Sequence, residues 1–143
     1  MSSVPLFTVN AYKVTHERSG RSTARVQAIV EVKIKDSFVR RAASGVGPVH
    51  ALDNALRECL RSDFPELESV RLSDYRVGVV DAARGTGAQV RVLIEATDGR
   101  ATWNAGCTSS NVLEASFEAL CSAALIGIMR ARTATERPAS FAM

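Results

Sequence analysis

Gly47-Pro48-Val49-His50-Ala51-Leu52-Asp53-Asn54-Ala55-Leu56 and Asn111-Val112-Leu113-Glu114-Ala115-Ser116-Phe117-Glu118-Ala119-Leu120 are two versions of one segment. Ala51 aligns with Ala115, Ala55 with Ala119 and Leu56 with Leu120, at a constant shift of 64 positions. The same shift pairs Val26 with Val90, Val30 with Ile94 and Glu31 with Glu95. A shift one residue shorter pairs Tyr12-Lys13-Val14 with Tyr75-Arg76-Val77. The period exceeds the roughly 20–50 residues of solenoid repeats, and there are only two copies. A fused pair of subdomains is therefore expected, packed across a pseudo-twofold axis. The groove between such copies is a natural seat for a small ligand.

Around the repeated segment the apolar pattern has two periods. From Arg25 to Lys35, Val26, Ala28, Val30, Val32 and Ile34 alternate with Gln27, Glu31, Lys33 and Lys35. That is the pattern of a half-buried antiparallel strand. Leu6–Val14 reads as the strand before it, and Asp36-Ser37 as a tight turn into a third strand, Phe38–Ala43. From Pro48 to Arg61 the period lengthens, with Val49, Leu52, Leu56, Cys59 and Leu60 at helical spacing. Pro48 suits the first helical turn, which has no use for its missing N–H. The second copy repeats the plan with strands at Leu72–Val80, around Val90–Ile94 and at Ala101–Ala105, then a helix over Asn111–Arg130. Asp98-Gly99 predicts a type I′ hairpin turn. Leu113, Phe117, Leu120, Cys121, Ala124, Leu125 and Ile128 make the second helix apolar around much of its girth. It should be buried on more than one side.

The expected architecture is α+β: two pseudo-symmetric βββα units, each an antiparallel sheet with a packed helix. The first unit would span 6–63 and the second 70–130, within a single domain over 1–143. Residues 131–143 read as a flexible tail and 1–5 as a loose lead-in.

At 143 residues, 46% of them apolar and 23% charged, the chain can bury a core without staples. No apolar run approaches the roughly 20 residues of a membrane span, and Met1-Ser2-Ser3-Val4-Pro5 lacks a signal-peptide pattern. Cys59, Cys107 and Cys121 are odd in number and show no Cys-x-x-Cys spacing. They read as reduced thiols of a cytoplasmic protein. Net charge is +3 with a pI near 9.0. The arginines at 18, 21 and 25, at 40 and 41, and at 130, 132 and 137 make three basic groups. A nucleic-acid surface would want denser charge interleaved with aromatics, so such a partner is not expected.

Catalytic signals are thin. His16 and His50 have no second His or Cys at metal-ligand spacing. His50 and Asp53, three apart on a helix, read as a surface pair, and Ser109-Ser110 has no neighbouring base. Gly85-Thr86-Gly87 lacks the strand-to-helix context of a phosphate loop. No enzyme, metal or cofactor is implied. The better candidate is Gly45-Val46-Gly47-Pro48, which lets backbone come close to a partner and leads straight into a helix N-terminus. Free N–H groups there carry partial positive charge and suit a carboxylate, although a ligand-free turn would have the same spacing. In the second copy Gly106-Cys107-Thr108-Ser109-Ser110-Asn111 offers hydroxyls and a helix cap. Two such termini suit a small zwitterion such as an amino acid.

Several motifs occur together in one order: Gly45-Val46-Gly47-Pro48-Val49-His50-Ala51-Leu52, Leu72-Ser73-Asp74-Tyr75-Arg76-Val77, Gly85-Thr86-Gly87-Ala88, Val92-Leu93-Ile94-Glu95, Thr102-Trp103 and Asn111-Val112-Leu113-Glu114-Ala115-Ser116. Over residues 6–126 the chain resembles the C-terminal regulatory domain of the 2-isopropylmalate synthase and citramalate synthase family, slightly closer to the citramalate branch. The resemblance implies a homodimer that binds leucine or isoleucine between βββα units and signals to a catalytic barrel. That barrel, which condenses acetyl-CoA with a 2-oxo acid, is absent here and would be supplied in cis or in trans. The chain would then be an excised domain or a stand-alone regulator. The family's glycine-loop contacts fall on Gly45, Gly47 and His50, and Asp74 and Tyr75 match a pair near the interface. Thr108 and Ser110 belong to the second loop. His50 departs from the small or polar residues common in the family, and Cys107 stands where glycine is usual. A module that dimerises without an effector is the first rival reading, and an RNA-binding sheet module, suggested only by the pI and the arginine clusters, is a weaker second.

Overall fold

The computed structural model describes residues 5–136. The chain divides into two compact units, one ending at Asp63 and the other beginning at Phe64. The first holds β1 (Thr8–Glu17), β2 (Arg25–Ile34), β3 (Ser37–Ser44) and α1 (Pro48–Leu60). The second opens on a short 3-10 helix, Pro65–Ser69. It continues through β4 (Arg71–Val79), β5 (Val90–Thr97), β6 (Thr102–Ser109) and α2 (Val112–Glu136), with a 3-10 segment at Ala82–Gly87 between β4 and β5. Each unit is a three-stranded antiparallel sheet in sequence order followed by a helix, the α+β arrangement expected.

In the first unit the alternation of β2 places Val26, Ala28, Val30, Val32 and Ile34 in the core. α1 covers β2 and β3 with Ala51, Leu52, Ala55, Leu56, Cys59 and Leu60. Each large aliphatic side chain buried there contributes about 1.5–3 kcal/mol. The Cys59 S–H donates to the Val30 carbonyl at 3.2 Å, and burial pushes this thiol up from its ordinary value. The β2–β3 turn comes one residue earlier than the sequence suggests. Ile34 pairs with Ser37, so Lys35 and Asp36 make the turn and Lys35 takes φ 57°. A non-glycine residue there costs roughly 1–2 kcal/mol, which the ladder on either side imposes.

In the second unit α2 lies on β5 and β6, burying Ala115, Ser116, Phe117, Ala119, Leu120, Ala123 and Ile128. Trp103 Nε1 donates to the Ala123 carbonyl at 3.0 Å, and the Arg130 guanidinium lies 5.5 Å from the Trp103 ring centroid. Gly127 is required there, because a Cβ would meet Trp103 at 2.9 Å and Val70 at 3.0 Å. Further along, Arg132 bonds Glu66 at 2.8 Å and covers the Phe64 ring. Partial burial opposes ionisation of Glu66, yet the guanidinium holds its carboxyl below the usual range. These ties carry the helix to Glu136, through the first part of the tail expected at 131–143. Residues 137–143 and 1–4 lie outside the described residues.

Two further expectations change. Val112–Ala134 reaches a mean hydropathy of 1.7 and is, among the described helices, long and apolar enough by composition to cross a membrane. Glu114 and Glu118 interrupt its apolar sequence, and its apolar residues are partly buried against β5 and β6. The β5–β6 connection is not a two-residue type I′ turn, since Thr97 pairs with Thr102 across four loop residues. Asp98 Oδ1 accepts the N–H groups of Arg100 and Ala101 at 2.9 and 2.8 Å, and only Gly99 there takes positive φ.

Both edge strands carry a bulge at the equivalent place, between Val9 and Ala11 in β1 and between Leu72 and Asp74 in β4. α1 reaches β1, whereas α2 leaves much of the inner face of β4 open. Tyr75, Val77 and Val79 share a face with Ile94, Val92 and Val90 across the ladder, yet are 40%, 46% and 59% exposed. β4 therefore presents an apolar strip that α2 touches only through the Tyr75 hydroxyl.

Candidate functional site

The turn from β3 into α1 lies tight against the helix it precedes. The Gly45 N–H donates to the Val26 carbonyl at 3.3 Å. A Cβ on Gly45 would fall 2.4 Å from the Ala51 nitrogen and 2.8 Å from the His50 carbonyl carbon, so only glycine allows this approach. Gly47 is different. Its φ of −154° is ordinary extended backbone, and nothing stands within 4 Å of its Cβ position. As N-cap it supplies no side-chain acceptor, and Pro48 has no N–H to satisfy. The first-turn N–H groups of Val49 and His50 thus have no side-chain cap and carry the partial positive charge of the helix start.

His50 folds back over this turn. Its Nδ1 accepts the Val46 N–H at 3.0 Å. One helical turn on, Asn54 Nδ2 donates to the Ser44 carbonyl at 2.9 Å and lies 3.3 Å from His50 Nε2. The sequence pairs His50 with Asp53, but Asp53 bonds Arg57 instead, at 3.3 Å. Beside the turn, on the outer face of the sheet, Thr15, Glu17, Arg25, Gln27, Ser44 and Gly45 line a polar depression of about 520 Å³. Val46 itself is 94% exposed.

The second copy is built differently at the same point. Cys107 and Thr108 do not form a loop: they continue β6, opposite Val92 and Arg91. Gly106 is also in the strand, where a Cβ would strike the Leu93 side chain at 2.8 Å. What remains between strand and helix is exposed Ser110, with Asn111 as cap. Asn111 Oδ1 accepts the N–H groups of Leu113 and Glu114 at 3.0 and 3.1 Å, and Ser109 Oγ accepts that of Asn111 at 3.0 Å. The donors left open at α1 are closed at α2.

Asp74 and Tyr75 sit on β4, at the opposite edge of the sheet from Cys107 and Thr108. Asp74 accepts the Tyr75 N–H at 2.9 Å and pairs with Arg76 at 2.7 Å. The Tyr75 hydroxyl reaches inward to Ser116 Oγ at 2.8 Å. The structure therefore brings Gly45, Gly47 and His50 together, while Asp74 and Tyr75 face opposite ways from one strand. Sequence reasoning missed Asn54 and Ser116. The first lies four residues after His50, a spacing that shares a helix face; the second lies far from Tyr75 in the chain and carries no local signal. Among the described residues no group of three or more His, Cys, Asp or Glu is placed to hold a metal.

Comparison with known proteins places these features in a family. Residues 2–126 match the family described as the LeuA allosteric (dimerisation) domain. The chain is 39% identical over 115 residues to the (R)-citramalate synthase of Geobacter sulfurreducens, covering 80% of this chain and 22% of that protein. It is 38% identical over 125 residues to the (R)-citramalate synthase of Aquifex aeolicus, covering 87% and 24%. A 2-isopropylmalate synthase of Geobacillus stearothermophilus is 35% identical over 97 residues, covering 67% and 17%. The chain spans less than a quarter of the length of these relatives, and their catalytic part has no counterpart within its residues. The βββα repeat and this match over most of its length make the chain a member of the LeuA allosteric (dimerisation) domain family.

Proposed function

We propose that this domain pairs with a second copy of itself and binds a branched-chain amino acid, leucine or isoleucine, as the feedback sensor of a citramalate or 2-isopropylmalate synthase. The synthase part would be joined in cis or met in trans. The observation that carries the reading is the open start of α1, where Gly45 lets the loop lie close and the Val49 and His50 N–H groups lack a side-chain cap. A carboxylate seated there completes the helix start. Because Asn111 already closes α2, the acid end of the effector belongs at the first unit. The exposed strip Tyr75, Val77 and Val79 supports pairing with a second copy, since joining two such edges removes apolar surface from water. Regulation follows when the effector binds one packing of the pair better than another. Cys59, Cys107 and Cys121 as thiols outside any disulfide fit a reducing, cytoplasmic setting.

The rival, a dimerisation module without an effector, has one observation in its favour: the His50 ring already takes the Val46 N–H. Melting the purified chain against each of the twenty amino acids decides between them. A ligand at about a hundred times its Kd stabilises by about 2.7 kcal/mol, so a rise confined to leucine or isoleucine is expected. A flat panel refutes sensing and leaves the dimerisation module.

A further inference from the structure

We propose that His50 and Asn54 are positioning residues that clamp the Ser44–Gly47 turn onto α1, and that they thereby set how well the turn accepts a ligand. The inference rests on the reading of this turn as the effector's contact, and it assigns Asn54, which neither the sequence motifs nor the family match singles out.

The turn is held at three successive points. Asn54 Nδ2 holds the Ser44 carbonyl at 2.9 Å. Gly45 lies against the backbone of His50 and Ala51, with no room for a Cβ. His50 Nδ1 holds the Val46 N–H at 3.0 Å. Both side chains come from one face of α1, four residues apart, so a single rigid helix fixes the whole turn. With this restraint Val46 stands 94% exposed, which a loose apolar loop residue would avoid by folding inward.

The chemistry of the ring makes the clamp specific. A backbone N–H has only a proton to offer, so Nδ1 must be bare and the neutral ring carries its proton on Nε2. Asn54 Nδ2, 3.3 Å from Nε2, is a second donor facing the same ring. Both cannot be satisfied by a neutral imidazole. The shorter contact comes from a backbone group that cannot rotate, so it fixes the tautomer, and Asn54 serves through Ser44. An asparagine at position 50 offers an acceptor oxygen at about the place of Nδ1. An alanine offers none.

The test uses the purified chain and its His50→Ala, His50→Asn and Asn54→Asp variants. Nitrogen-15 spectra of the histidine rings are expected to show His50 protonated at Nε2 with Nδ1 as acceptor. Amide exchange at Val46 should quicken about five- to tenfold in His50→Ala, the scale of one lost hydrogen bond, and return in His50→Asn. The amide of Val30, in the core strand, should not change. Titration with leucine and isoleucine should show affinity weakened by a similar factor in His50→Ala and Asn54→Asp. A proton on Nδ1, unchanged Val46 exchange in His50→Ala, or equal affinity of wild type and His50→Ala would each overturn the proposal. Should the ring and exchange signatures appear while wild type binds neither amino acid, the clamp stands and the amino-acid reading falls.

Discussion

Replacing Tyr75 by phenylalanine removes one oxygen from a half-exposed side chain, yet the cost should fall on a different residue. The Tyr75 hydroxyl meets Ser116 Oγ at 2.8 Å, and Ser116 is fully buried at 0% exposure while Tyr75 is 40% exposed. Without the tyrosine hydroxyl the serine is sealed from water with its partner gone, a penalty of about 1–3 kcal/mol. A helical serine can turn back on the carbonyl four residues earlier, which recovers part of this. Tyr75→Phe should therefore cost about 1–2 kcal/mol. Ser116→Ala should cost far less. It strands no buried group, the tyrosine hydroxyl can take water, and alanine is the better helix former by a few tenths of a kcal/mol. Its stability should stay within about 0.5 kcal/mol of wild type, and the double variant should resemble it. Urea unfolding followed through Trp103, the single tryptophan, gives all four values. The reasoning is refuted if Ser116→Ala costs more than Tyr75→Phe, or if Tyr75→Phe matches wild type.

The two glycines of the β3–α1 turn should separate cleanly in thermal melts. Gly45→Ala forces a Cβ against the Ala51 and His50 backbone and should cost about 3 kcal/mol, whereas Gly47→Ala meets open space and should stay within about 1 kcal/mol; equal losses would contradict the geometry. For Asp98, the Ala101 and then the Arg100 N–H groups hold the carboxyl below the usual range. A lowered folded-state value means that the stability it contributes is complete above the ordinary carboxylate range and is lost as pH falls through the lowered value. Wild type should thus be more stable than Asp98→Asn at pH 6, with the gap narrowing on acidification in urea titrations; a pH-independent gap would show that the loop does not depend on this charge.

The strands and α1 were legible because each has one dry face. Val26 to Ile34 can satisfy only a period of two, and Ala51 to Leu60 only a helical one. The turns were less so. Lys35 adopts a left-handed conformation with no glycine or asparagine to announce it, because the ladder on either side dictates where the chain must reverse. Gly106, Cys107 and Thr108 look like loop residues by composition, but pairing with β5 continues past them to Ser109. The Gly45 and Gly47 loop was readable from spacing. What each glycine does was not, since only the position of α1 shows that Gly45 is pressed against backbone and Gly47 is free. The Tyr75–Ser116 bond joins residues 41 apart in the chain, beyond the reach of any local pattern.

The unequal helix starts also let the two halves be told apart by chemistry. Asn111 commits its side chain to its own helix, which occupies the Leu113 and Glu114 donors. Gly47 does the reverse. The two copies of the segment therefore differ in what they leave free: the second closes its helix start with Asn111, and the first keeps its donors without a side-chain cap. Each chain therefore carries its own control: of the two α-helix starts, a probe that recognises an uncapped one should engage α1 and not α2, and giving position 47 an asparagine should erase that difference.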